Sequence, residues 1–146
     1  MADSLFKKYK KQIIKQLGRK ALADDQLDKL GKQLLGKKYI GTFAQDKLPS
    51  RSGYMIVNVD TSKKINTPDA HWVGIYSTPK TIFVYDSFGR LTKNVLKLIS
   101  KTTTKKIVDS KHDPEQYGAD SELCGHLAMS FFCVAHELGI RVALTI

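Results

Sequence analysis

A cysteine and a glycine open an apolar run at residues 124–132, where Asp120, Ser121 and Glu122 give way to Leu127, Ala128, Phe131 and Phe132. Nucleophilic cysteine chemistry requires a thiolate, a base to generate it, a group that orients the base and a donor for the developing oxyanion. The chain offers one candidate for each role. Cys124 stands at the start of a predicted helix, where unpaired N–H groups and the helix dipole favour the anionic form. Gly125 behind it permits close backbone approach and leaves room for a substrate carbonyl. His71 begins one predicted strand and Asp86 ends the next, so antiparallel pairing would bring a carboxylate beside an imidazole. Gln116 precedes Cys124 in a polar loop, and its amide could reach the oxyanion alongside the Cys124 main-chain N–H.

Each of these residues also has an ordinary reading. A histidine beside a tryptophan commonly serves packing, and an aspartate before Ser-Phe-Gly commonly caps a turn. Cysteine in an apolar helix is usually core, which is the reading for Cys133. Cys124 differs because it sits at the boundary beside glycine. The two cysteines are nine residues apart on one helix, too far for a disulfide at roughly 1.5 Å of rise per residue. Four zinc ligands cannot converge from Cys124, His126, Cys133 and His136 on a single helix, so no metal is expected. His112 and His126 read as solvated or satisfied histidines.

Several elements must position these groups. Residues 4–19 form an amphipathic helix with Leu5, Tyr9, Ile13 and Leu17 recurring every four residues. A second helix, capped by Asp24, carries Leu27, Leu30 and Leu34 and is closed by Gly36. KKYIGTFAQDKLPSRSG is a punctuated connection. GYMIVNVD (53–60), HWVGIYS (71–77) and KTIFVYD (80–86) read as strands, the last two forming a hairpin linked by Thr78 and Pro79. A helix at 91–100, a strand at 105–110, the helix from Leu123 to Leu138 and a last strand, IRVALTI, complete the chain. Helices flanking a small, mostly antiparallel central sheet make an α+β protein. At 146 residues it is expected to be one domain, 1–146.

Composition narrows the setting. No apolar run approaches the roughly 20 residues that a membrane span needs, and a reducing, intracellular home is expected from the cysteine usage. Lysine and arginine number 24 against 14 acids, a net charge of +10. Residues 1–20 hold seven of the basic side chains and one acid, Asp3. Such a face attracts polyanions through counterion release, although lysine also serves plain solubility.

The order His71, Asp86, Gln116, Cys124-Gly125 resembles the adenovirus maturation protease (adenain) and its relatives, the SUMO-specific proteases. The segments "YIGTFAQDKLP", "GYMIVNV", "AHWVGIYS…TIFVYDSFGR" and "QYGADSELCGHLAMSFFCVAHEL" look like successive adenain elements, covering about Leu27 to Leu138. The resemblance implies a papain-like site in permuted chain order, with the nucleophile at the N-terminus of a core helix. It implies that His71 is the general base, Cys124 the nucleophile, Asp86 the orienting acid and Gln116 the oxyanion donor, with Trp72 a wall of the site. The implied reaction is peptide hydrolysis through a thioester. The adenoviral enzyme binds an activating peptide through a cysteine upstream of the oxyanion loop. Residues 100–120 hold no cysteine here, so no disulfide-linked peptide cofactor is expected. Activation by DNA stays open.

The resulting expectation is a monomeric viral cysteine endopeptidase of adenain type, similar to those of virophages and Polinton-type elements. It would process capsid or core precursors within the virion and the host cell, with no membrane partner. The same catalytic set would serve a protease that removes SUMO- or ubiquitin-like modifiers. A third reading, from a different class, is an inert basic DNA-binding protein on a protease-like fold. The charge distribution predicts non-specific DNA binding through Lys7, Lys8, Lys10 and Lys11. Such binding should weaken with added salt and with neutralisation of those four lysines; affinity indifferent to salt in a filter or anisotropy titration would oppose it.

Overall fold

A run of fifteen residues, Cys124–Leu138, forms a helix whose first twelve positions are all buried. A helix apolar on every side belongs at the centre of a protein, and the other elements are arranged around it. The computed structural model describes residues 2–44, 49, 51–58, 71–87, 105–109 and 123–146. In chain order these form α1 (Ala2–Leu17), α2 (Asp24–Leu35), a 3₁₀ turn (Gly36–Lys38), β1 (Tyr39–Ala44), β2 (Gly53–Asn58), β3 (Trp72–Ser77), β4 (Thr81–Tyr85), β5 (Lys106–Asp109), α3 (Cys124–Leu138) and α4 (Ile140–Ala143).

The five strands lie in one sheet in sequence order. The two inner pairings, β2 with β3 and β3 with β4, are antiparallel, whereas β1 runs parallel to β2 and β5 parallel to β4. The sheet is therefore mixed, not mostly antiparallel as its hairpin-like spacing suggested. The α+β class holds. One face of the sheet, with Tyr54, Ile56, Trp72 and Tyr85, packs with α1, α2 and α3 in a single core. The opposite face carries Met55, Val57, Val73, Ile75, Ile82 and Val84, also buried. Burial on both faces explains why β2 reads as an unbroken apolar run.

Close approach of α3 to β3 depends on Gly74, where an added Cβ would lie 3.0 Å from the Phe132 ring. On the far side α1 packs along α3. Its apolar stripe is broader than the four-residue spacing implied: Ala2, Phe6 and Ile13 are buried, and Leu5, Tyr9, Ile14 and Leu17 are partly so. Lys7, Lys8, Lys11 and Lys15 between them are exposed and Lys10 is half-buried, so the amphipathic pattern is accounted for by packing within the chain.

Four further expectations change. YIGTFA is strand β1 rather than connection: a shift of register between Tyr39 and Gly41 absorbs the glycine. The N-cap of α2 is Ala23, not Asp24, and the Gln26 side chain accepts the Ala23 N–H at 3.0 Å. The β3–β4 link includes Lys80, with Thr78 and Thr81 closing it through their main chains at 2.8 Å. The final IRVALTI is helical and turn-like, because Gly139 breaks from α3 and the Ala143 and Leu144 N–H groups return to Gly139 and Ile140. Its β-branched composition yields to docking of Ala143 into the core beside α3. The predicted helix at 91–100 and the polar loop at 111–121 lie outside the described residues.

The packing of α2 on β1 gives a substitution test of unusual sign. Glycine inside an exposed helix is normally improved by alanine, by roughly 1 kcal/mol. Here a Cβ on Gly31 would stand 2.5 Å from Tyr39 Cγ, and Tyr39 is anchored by a 2.6 Å hydrogen bond to Thr42. Gly31→Ala should therefore lower the unfolding free energy by about 1–3 kcal/mol in denaturant titrations; a gain in stability would show that this contact does not constrain the fold.

Candidate active site

The β3–β4 register determines how His71 meets Asp86. Gly74 is paired with Tyr85, and beyond that pair His71, just before β3, and Asp86, just after β4, lie together at one end of the antiparallel pair. His71 Nε2 and Asp86 Oδ1 are 2.8 Å apart, with Asp86 fully buried and His71 13% exposed. The carboxylate thus holds one ring nitrogen and fixes the plane of the other, Nδ1.

Cys124 reaches the same place from the opposite layer. As the first residue of α3 it enters from a helix whose N-cap, Leu123, supplies no side-chain cap. The Trp72 main-chain N–H donates to Cys124 Sγ at 3.3 Å. A thiolate accepts such a bond more strongly than a thiol. The residue that follows the candidate base thereby also holds the candidate nucleophile.

The electrostatics favour a charged imidazole. Burial opposes protonation of His71, but hydrogen bonds to Asp86 and to Cys124, with the charges of the same two groups, outweigh it and raise the pKa to about 9. His71 thus interacts directly with both Asp86 and Cys124. Cys133 shows the contrast: buried in α3 beside Glu137, its thiol is pushed up to about 12, which is the behaviour of a core cysteine. Neither cysteine is in a disulfide.

Other sequence candidates fall elsewhere. Trp72 buries its indole to 1% exposure and donates from Nε1 to the Leu22 carbonyl at 2.9 Å, so its main chain, rather than its ring, reaches the sulfur. The absent Cβ of Gly125 would point at Leu27 and the Trp72 ring, 3.1 and 3.5 Å away. The space left by that glycine serves the packing of α3 on α2 and β3. Gln116 lies outside the described residues. Lys7, Lys8 and Lys11 are exposed on α1 and Lys10 is half-buried. Three of them, Lys7, Lys8 and Lys11, line a shallow groove with Ser4 and Gln12. Among the described residues, no three His, Cys, Asp or Glu side chains converge as a metal site would require.

His126 had no assigned role in the sequence beyond solvation or satisfaction, and it is satisfied at one nitrogen: its Nε2 lies 2.8 Å from the Gly18 carbonyl. It is fully buried. Burial lowers its pKa against the support of the Gly18 carbonyl, and Arg19 and Lys10 lower it further. No local pattern could have shown this contact, because the partners are 108 residues apart.

These two histidines give opposite pH dependences. Folded His71 keeps its proton to about pH 9, whereas the unfolded chain releases it near 6.5. Its stabilisation, roughly 3 kcal/mol at most, is complete below about pH 6.5 and is lost as pH rises through 9. His126 acts in the other direction: its neutral form is favoured in the fold, so stability falls as pH drops below about 6.5. Denaturant titrations from pH 5 to 10 should show both declines. His71→Ala should flatten the alkaline one and His126→Gln the acidic one; an unchanged profile in either variant would contradict the corresponding assignment.

No protein-family model matches the chain, and comparison with curated proteins finds no match.

Proposed function

We propose that this protein is a cysteine endopeptidase of the adenain/SUMO-protease type, with Cys124 as nucleophile, His71 as acid–base and Asp86 as its orienting group. The observation that carries the reading is the meeting of three chemically matched side chains. The thiol at a helix start, the imidazole at the start of β3 and the buried carboxylate at the end of β4 come from distant parts of the chain. A purely structural cluster would not need the imidazole to prefer its charged form between a thiol and a carboxylate.

The chemistry follows from those positions. Cys124 Sγ, as thiolate, attacks the scissile carbonyl carbon, and the carbonyl oxygen takes the negative charge. The Cys124 main-chain N–H at the start of α3 is suited to stabilise that oxyanion, with Gln116 proposed as the second donor. Imidazolium at His71 transfers its proton to the leaving nitrogen, the C–N bond breaks, and the acyl group remains on sulfur as a thioester. His71, now neutral, takes a proton from water, whose oxygen attacks the thioester and releases the acid. Thiolate and imidazolium are thereby restored. Asp86 holds Nε2 throughout and keeps Nδ1 directed at sulfur.

The proposed substrates are capsid or core precursors of a DNA virus or virus-like element, cleaved in the virion or the infected cell. The basic face of α1 supports weak, non-specific DNA binding in such a setting. Removal of a SUMO- or ubiquitin-like modifier would use the same three groups and differs only in substrate.

Alkylation of Cys124 by iodoacetamide across pH 5–10, in parallel with hydrolysis of Gly-containing reporter peptides, tests the reading. Modification at pH 6 should exceed that of an ordinary thiol, whose pKa is near 8.5. Cys124→Ala should abolish hydrolysis. His71→Ala should reduce it by about 10²–10⁴-fold, and Asp86→Asn should also lower kcat. An alkylation profile of ordinary thiol shape, unaffected by His71→Ala and by DNA, would leave a basic DNA-binding protein instead.

A further inference from the structure

Two hydrogen bonds from the neighbourhood of the site end on the same short linker. Trp72 Nε1 donates to Leu22 O at 2.9 Å and His126 Nε2 lies 2.8 Å from Gly18 O. Trp72 adjoins His71 and holds the Cys124 sulfur through its own N–H. His126 stands in the first turn of α3, two residues after Cys124. The linker between α1 and α2 is therefore attached at Leu22 to the strand that carries the base and at Gly18 to the helix that carries the thiol. Gly18 takes a left-handed conformation, φ +82°, and its N–H closes α1 on Ile14 O at 2.7 Å, so its carbonyl is held at a defined point.

The histidine is not explained by packing alone. Its Nδ1 is buried without a hydrogen-bond partner among the described residues, and Lys10 and Arg19 both oppose its protonation. A leucine would fill the position without an unsatisfied atom. What leucine lacks is a neutral N–H at the far edge of the side chain, able to reach Gly18 O.

We propose that the linker Gly18–Leu22 is an alignment strap for Cys124 and His71, and that His126 is the positioning residue that fastens it to α3. The inference rests on the catalytic reading above. It deepens that reading by assigning α1 and its linker a part in setting the thiol–imidazole geometry.

The test compares the parent chain with His126→Leu, His126→Gln and Trp72→Phe, each checked for folding by circular dichroism. Cys124 alkylation is measured from pH 5 to 10, with kcat and KM for a reporter peptide. His126→Leu should slow alkylation at pH 6–7 by about tenfold and shift its profile toward that of a free thiol, lowering kcat with KM nearly unchanged. His126→Gln, which retains an N–H donor, should recover to within about threefold of the parent. Trp72→Phe, which loses the donor at the other end together with part of a buried ring, should behave like His126→Leu and carries the test if that variant does not fold. Folded His126→Leu and Trp72→Phe proteins with the parent's alkylation profile would overturn the strap while leaving the catalytic reading intact. A parent chain whose thiol is no more reactive than a free one would overturn both.

Discussion

Placement of Cys124 depends first on the burial of α3. With Cys124 through Ala135 all enclosed, the helix has no solvent face along which to slide or rotate. Gly74 on the sheet and Gly125 on the helix remove the two Cβ atoms that would hold the layers apart. A wider gap would carry the thiol away from the start of β3 and lose the 3.3 Å bond from Trp72 N–H. The position of the candidate nucleophile is thus fixed by van der Waals contact over the length of a helix, and only secondarily by polar contacts at its end.

The polar contacts then determine charge. A buried carboxylate and a largely buried imidazole are each costly alone. At 2.8 Å they compensate one another, and the thiol adds a third member. His126, a short distance along α3, meets the opposite environment: a carbonyl, with lysine and arginine as its charged neighbours. Two histidines in one core are thereby driven to different protonation states at neutral pH. The difference lies in which charges surround them, since both are largely removed from water.

The meeting of His71 with Asp86 was legible because two short strands with a tight link allow few registers, and any near-symmetric hairpin brings their outer ends together. The place of Cys124 at the start of α3 was legible from the abrupt change from polar to apolar residues. The sheet's parallel edges were not, because spacing does not reveal the direction in which an edge strand is added. β1 was hidden by its glycine and C-terminal α4 by its β-branched residues, both cases in which tertiary packing overrides local preference. Main-chain donors such as Trp72 N–H leave no sequence signal at all. The ties from His126 to Gly18 and from Trp72 to Leu22 join segments whose proximity only the folded chain creates.

Those same contacts govern when the site comes into being. The bonds Trp72–Leu22, Trp72–Cys124 and His126–Gly18 span 50, 52 and 108 residues. Contacts of such range form after local hairpins and helices, since the entropy of closing long loops must be met before they contribute. The antiparallel β3–β4 pair can bring His71 to Asp86 early, but Cys124 joins them only once the two ends of the chain have docked. A partly folded chain consequently holds an imidazole without its sulfur and a sulfur without its imidazole. The meeting of sulfur and imidazole is in this sense a reporter of completed folding.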